Sequence, residues 1–155
     1  MATTDVRTAI YRYCNYQERS HQEARDKLYE LGSRTPEVEE FIAELIEKGV
    51  LNEERFARAI ARGKFRMKQW GKQKIIQQLK QQRISEYCIK KALTEIDSDE
   101  YDQTLRKLAE KKWAELRTER SVPARKAKTY RYLMQKGYES SMIQDAINEI
   151  INGNL

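Results

Sequence analysis

The sequence predicts an all-α protein: three tandem three-helix repeats, nine helices in all, stacked into an elongated, curved body. Three observations predict it. Glycine and proline are scarce, six and two in 155 residues, and valine occurs four times, which argues against turn-dense or strand-rich folds. Apolar residues make up 39% and charged residues 35%, a supply that suits small amphipathic helices better than one large core. The apolar positions also repeat. Leu28, Leu79 and Leu133 align at offsets of 51 and 54, and the same offsets relate Val38, Ile89 and Ile143, then Ile42, Leu93 and Ile147, then Leu45, Ile96 and Ile150. Within each repeat the last three positions fall at i, i+4 and i+7, one face of a helix recurring at one phase.

The first repeat is expected over residues 1–50. Val6, Ala9, Ile10 and Tyr13 outline its first helix. Ser20 and Glu23 form a capping box at the start of the second, so His21 between them reads as an exposed cap residue and not a catalytic base. Gly32 follows Leu31 as a left-handed terminator. Thr35-Pro36-Glu37 opens the third helix with proline in its first turn, and Gly49 closes it.

The second repeat, residues 51–98, begins with Asn52 as cap and Glu53 and Glu54 at the positive end of the helix dipole. Phe56, Ala57 and Ile60 supply its inner face, Gly71 takes the N-cap slot matching Ser20, and Ser85-Glu86 opens its third helix. The third repeat, residues 99–155, has a long first helix from Asp99 to Arg117 carrying Leu105, Leu108, Ala109 and Trp113. Pro123 starts its second helix, Gly137 ends it, and Ser140 or Ser141 caps the last. Phe56, Tyr101, Trp113 and Tyr138 read as packing residues, each at an apolar helix phase or just beyond a helix end.

Several function classes drop out. No apolar run reaches the roughly 18 residues of a membrane span, and the start Met-Ala-Thr-Thr-Asp-Val-Arg does not read as an export signal. A cytoplasmic protein with no membrane partner is expected. Cys14 and Cys88 stand far apart in helix-patterned segments and read as buried free thiols. One histidine without short ligand spacing leaves no metal site, and no cofactor is implied. There is no Ser-His-Asp set, no Walker-type loop and no paired cysteine motif. The acidic clusters Glu37, Glu39, Glu40 and Asp97, Asp99, Glu100 fall at helix starts or junctions, where capping explains them. The chain is not expected to be an enzyme.

Charge is unevenly shared. The net charge of +6 divides into −3 over residues 1–50, +5 over 51–100 and +4 over 101–155. From Arg55 to Ser85 there are ten cations and no acid: Arg55, Arg58, Arg62, Lys64, Arg66, Lys68, Lys72, Lys74, Lys80 and Arg83. A shorter acid-free run, Ser121 to Tyr138, holds Arg125, Lys126, Lys128, Arg131 and Lys136. Solvated helices ordinarily mix signs, because Glu–Lys pairs four apart are favourable. Runs that forgo such pairs point to an anionic partner. Arg55, Arg58, Arg62 and Arg66 form one helical stripe, while Lys72 and Lys74 sit at a helix N-terminus whose N–H groups favour anions, beside the aromatic Trp70. The candidate partner- and DNA-binding residues are therefore Arg55, Arg58, Arg62, Lys64, Arg66, Lys68, Trp70, Lys72, Lys74, Arg125, Lys126 and Lys128. A phosphate backbone and an acidic protein groove both suit them.

The segment Gly49-Val50-Leu51-Asn52-Glu53-Glu54-Arg55-Phe56-Ala57, followed by Arg66, Trp70-Gly71, Lys74-Ile75, Leu79 and Arg83-Ile84-Ser85, resembles the RecX family of recombinase regulators. Ser20-x-x-Glu23-Ala24-x-x-Lys27-Leu28-x-x-x-Gly32 is similar to that family's first-repeat signature. The resemblance implies a bacterial regulator of homologous recombination and DNA repair. Such a protein lies in the groove of the RecA recombinase filament on DNA, reduces its ATP hydrolysis and strand exchange, and promotes disassembly. Some members also bind single- or double-stranded DNA directly. Carried over by position, Arg58, Arg62, Arg66, Lys72 and Lys74 are the implied contacts. Two positions depart from the family: Asn52 stands where Asp is common, and Arg83 where glycine is usual, so strain is expected at that helix end. The alternative reading is a sequence-nonspecific DNA-binding helical-repeat module with no recombinase partner.

Overall fold

Local signals set most of the helix ends. The structure is a computed structural model describing residues 3–153; the opening Met-Ala of the segment read above as no export signal lies outside them. The described residues form nine helices and no strand: α1 Thr3–Tyr16, α2 His21–Glu30, α3 Thr35–Glu47, α4 Glu53–Lys68, α5 Lys72–Gln81, α6 Glu86–Leu93, α7 Ser98–Glu115, α8 Val122–Lys136 and α9 Ser140–Gly153. None is long and apolar enough to cross a membrane.

The chain packs as two compact units, one built from residues up to 60 with 79–92, the other from 61–78 with 93–155. The first two turns of α4 thus belong to the first unit and its remainder to the second.

In the first unit Val6, Ile10 and Cys14 of α1 bury against Ala24 and Leu28 of α2 and Val38, Phe41, Ile42 and Leu45 of α3. The spacing of these residues places each set on one face of its helix. The capping box at α2 is complete: the Glu23 N–H donates to Ser20 Oγ and the Ser20 N–H to the Glu23 carboxylate, both at 2.9 Å. Ser20 is fully buried, and its hydroxyl also donates to Gln82 Oε1 at 2.9 Å. That burial corrects the expectation for His21. The imidazole is half-buried, and its Nε2 is enclosed without a hydrogen-bond partner. Gly32 and Gly49 take the left-handed conformation at φ 96° and 73°, as terminators do. Asn52 caps α4 through its side chain, which accepts from the Arg55 N–H at 2.9 Å. Arg83, in the slot where a glycine was expected, is left-handed at φ 59°. A side chain there costs about 1–2 kcal/mol relative to a relaxed backbone.

The second unit is organised by aromatic rings. Tyr101 of α7 packs between Phe65 of α4, with ring centroids 5.8 Å apart, and Tyr138, at 5.1 Å. Leu105, Leu108, Ala109 and Trp113 continue the buried face of α7, against Leu133 of α8 and Ile143, Ala146 and Ile147 of α9. Asp97 and Ser121 cap α7 and α8, and Gly137 closes α8 at φ 100°. The start of α9 differs from expectation. Ser140 is its first helical residue and not its cap, because the Ser140 hydroxyl is engaged with the Tyr130 hydroxyl at 2.6 Å. Ile96 also lies beyond the end of α6, yet is buried in the unit that follows.

Candidate functional site

Tertiary partners absent from the local sequence divide the acid-free run of cations. In the first unit the Arg55 guanidinium bonds the Glu18 carboxylate and the carbonyls of Gly49 and Val50, at 3.0 and 3.1 Å. It thereby fastens the turn that follows α3, just beyond its C-cap Lys48. Arg58 pairs with Glu54 at 3.0 Å, one turn back on the same helix. Both positions of the predicted stripe are compensated within this unit.

In the second unit, Arg62 pairs with Glu95 at 2.9 Å. Beyond it the chemistry changes. Arg66 and Lys68 are exposed and make no ion pair among the described residues. Gln69 turns left-handed at φ 57°, ending α4 and bringing Trp70 back over its last turn, with the Trp70 N–H on the Lys64 carbonyl at 3.1 Å. The Lys64 and Lys74 ammonium groups then lie over the Trp70 ring, 4.9 and 4.5 Å from its centroid. Lys72 stands 4.8 Å from the Tyr101 ring. These contacts hold the lysines through ring faces and leave their charge uncompensated.

The N-terminus of α5 is not open to an anion. The Lys72 N–H donates to Tyr101 Oη and the Gln73 N–H to the Gly137 carbonyl, both at 2.9 Å. The Gly71 N–H donates to the Lys136 carbonyl at 2.8 Å. Gly71 and Gly137 approach so closely that a methyl group on Gly71 would overlap the Gly137 carbonyl. Around this junction Lys136 Nζ bonds the Lys68 carbonyl at 2.9 Å and Tyr138 Oη the Gln69 carbonyl at 2.8 Å, while Tyr101 donates to the Glu139 carboxylate. Burial, with Glu139 adding, pushes the Tyr101 and Tyr138 phenols far up, so both stay protonated. Burial and then neighbouring Lys74 lower the Lys136 ammonium. Lys136, named in the second acid-free run but not among the candidates, is thus part of the corner. Gly137 and Tyr138 were legible as terminator and core residue, but nothing local pairs them with Gly71.

The candidates from the second acid-free run serve other ends. Arg125 lies 4.0 Å over the Trp113 ring and bonds the Trp113 carbonyl at 3.0 Å, closing the end of α7. Lys128 pairs with Glu119. Lys126 is exposed and makes no ion pair among the described residues. The structure therefore brings Lys64 and Lys74 together over Trp70, with Lys136 beside Lys74 and Lys72 over Tyr101, leaves Arg66, Lys68 and Lys126 exposed, and ties Arg55, Arg58, Arg62, Arg125 and Lys128 to neighbours.

Comparison with known proteins places this architecture. Residues 52–93 match the family description "RecX, second three-helix domain", and residues 99–147 match "RecX, third three-helix domain". The regulatory protein RecX of Pelodictyon phaeoclathratiforme is 33% identical over 135 residues, 86% of this chain and 82% of that protein. The chain belongs to the RecX family. RecX of Prosthecochloris aestuarii is 29% identical and is aligned over 97% of this chain and 99% of its own length. RecX of Clostridium perfringens strain SM101 is 31% identical, but the alignment spans only 63% of that longer protein. The crystal structure of RecX from Lactobacillus salivarius superposes with a TM-score of 0.83 at 25% identity over 94% of both chains. These RecX relatives carry the name of regulatory proteins, and the tandem three-helix plan read from the apolar repeat is the plan of the family.

Proposed function

We propose that this RecX family member regulates homologous recombination and DNA repair in the bacterial cytoplasm. It binds the groove of the RecA–DNA filament, lowers its ATP hydrolysis and strand exchange, and favours disassembly. Its three repeats, residues 1–50, 51–98 and 99–155, would each present a helical face along that groove. Family membership supports the class of function. The observation that carries the choice of surface is the uncompensated pair Lys64 and Lys74 over Trp70, with Lys136 crowding Lys74 and Lys72 over the Tyr101 ring. Like charges held this close gain from an anionic partner, which the fixed backbone junction presents with little reorganisation. Shifting the filament toward disassembly requires only that the protein bind one filament state better than the other.

Titrating the protein into a DNA-stimulated ATPase assay of the cognate recombinase tests this reading. Sub-stoichiometric protein should depress ATPase, and reversing Lys68 and Lys74 to Glu should relieve the inhibition. An ATPase rate and a strand-exchange yield both unmoved by the protein would sink the proposal.

The half-exposed Trp70 ring, with two ammonium groups close to it, also favours a second reading, direct binding of unpaired DNA by base stacking. That reading predicts oligonucleotide binding without recombinase. Its log–log salt slope should be about −0.7 per phosphate for single strands and about −0.9 for duplex.

A further inference from the structure

One surface of the second unit has no part in the basic corner. α8 and α9 enclose a groove of about 710 Å³, within the size range of binding pockets. Its apolar lining is Ala127, Tyr130 and Met134 from α8, with Ile147 of α9. Met134 keeps 43% of its surface exposed within this groove. The Tyr130 hydroxyl is occupied by Ser140, so the ring presents mainly its apolar face. Lys126 and Arg131 stand on the α8 wall, exposed and without an ion pair among the described residues. The α9 wall is neutral, with Gln144 and Asn148. Of the acids nearest in sequence, Glu119 is engaged with Lys128, Glu139 with Tyr101 and Glu149 with Arg106, while the exposed Asp145, beside Gln144, lines a separate cleft with Arg106 and Met142.

We propose that this groove receives an amphipathic helix of a partner protein, with acidic residues along the flank that faces α8. The geometry of the walls sets the occupant. Ala127, Tyr130 and Met134 fall at i, i+3 and i+7, a strip of about 11 Å at 1.5 Å per residue, which accommodates two to three turns of helix. A helix laid along it inserts apolar residues at i, i+3 or i+4 and i+7. Acids on one flank then meet Lys126 and Arg131, while neutral polar residues meet the amides of Gln144 and Asn148. A nucleic-acid backbone fits worse, because its phosphates would face Met134 and Ile147 without compensation. A second copy of this chain is disfavoured too. Its acidic amphipathic helix, α3, already buries Val38, Phe41, Ile42 and Leu45 in its own core.

That same α3 sequence supplies a probe with the required chemistry. A labelled synthetic peptide of residues 35–47, free of the fold, carries Val38, Phe41, Ile42 and Leu45 at helical spacing together with five glutamates. Titrated into the full-length protein, it should bind with a dissociation constant on the order of 10–100 μM at low salt. Amide shifts on NMR should concentrate at residues 126–134 and 144–148. Reversing Lys126 and Arg131 to Glu together should weaken binding by about tenfold, and Met134→Gln or Met134→Glu by about fivefold or more. Circular dichroism should show each of these surface variants folded. Reversal of Lys107 and Lys111, exposed on α7 outside the groove, should leave the affinity unchanged. The proposal is overturned by no binding at 1 mM, by equal affinity for the peptide with lysines in place of its glutamates, or by shifts centred outside the groove. It is equally overturned if a thymidine 15-mer perturbs the groove more strongly than the peptide. A Met134-dependent dimer in sedimentation would overturn it in favour of self-association.

Discussion

Two glycines eight positions apart should respond to the same substitution with opposite sign. Gly71 abuts the carbonyl of Gly137, so Gly71→Ala forces the α4–α5 corner and the α8–α9 turn apart. The bonds at risk are Gly71 N–H to Lys136 O at 2.8 Å and Gln73 N–H to Gly137 O at 2.9 Å. Two such bonds contribute about 1 kcal/mol each, and relief of overpacking in a rigid backbone contact costs roughly 1–3 kcal/mol more. The reduced freedom of the unfolded chain returns about 0.4–1 kcal/mol. The net loss is about 2–4 kcal/mol, or roughly 5–12 °C in Tm for a chain of this length. Gly63 lies inside α4 with nothing within 4 Å of the added methyl, so Gly63→Ala should stabilise by about 0.5–1 kcal/mol. Urea unfolding followed at 222 nm measures both. A Gly71→Ala protein within about 0.5 kcal/mol of the parent, the range of an ordinary surface change, would refute the close approach on which the preformed corner depends.

Other outcomes follow from single sites. Arg83→Gly relieves a left-handed side chain and should raise stability by about 1 kcal/mol in the same urea assay. Burial, aided by Arg25 and opposed by Glu53, lowers the His21 imidazole below its ordinary value of 6.5. The unfolded chain therefore takes up the proton first as pH falls, and stability should decline below pH 6.5 through the folded value. His21→Gln should flatten that slope between pH 7 and pH 5. Burial pushes the Cys14 thiol up to about 11, against opposition from Arg19. Both cysteines are buried, so neither should react with Ellman's reagent at pH 8 until the protein is unfolded, and the Cys14 contribution to stability should fall away as pH rises from 9 to 11.

What the sequence disclosed depended on range. Ser20 with Glu23, Asp97, Ser121 and Gly137 act within one turn of themselves, so residue type and spacing predict their roles. The three-fold recurrence of apolar phase likewise needs only neighbours at i+4 and i+7, so it marks the helices without reference to their packing. Errors appear where a distant partner decides. Ser140 looks like a cap, but Tyr130 claims its hydroxyl. His21 reads as exposed because it falls in the capping box, whereas Ser20 beside it is buried on Gln82 and the imidazole itself is half-buried. The largest gap concerns charge. Within the acid-free run Arg55, Arg58, Arg62 and Arg66 read as one unpaired stripe, yet Glu18 and Glu95 reach Arg55 and Arg62 from 37 and 33 residues away. No local pattern announces those pairs, nor the meeting of Gly71 with Gly137.

That division of the cations changes what a charge-reversal experiment can mean. Arg55→Glu would set a carboxylate against Glu18 and release the Gly49 and Val50 carbonyls, so it should cost stability, about 1–2 kcal/mol for a half-exposed cluster. Arg66→Glu or Lys68→Glu disturbs no ion pair among the described residues and should stay within about 0.5 kcal/mol of the parent. Loss of partner or DNA binding in the first variant is thus confounded by a loosened α3–α4 turn, whereas the same loss in the second reports the surface itself. Measuring unfolding and binding on both separates the two. If Arg55→Glu and Lys68→Glu weaken binding alike with stability unchanged in each, then Arg55 belongs to the working surface and its tie to Glu18 is incidental.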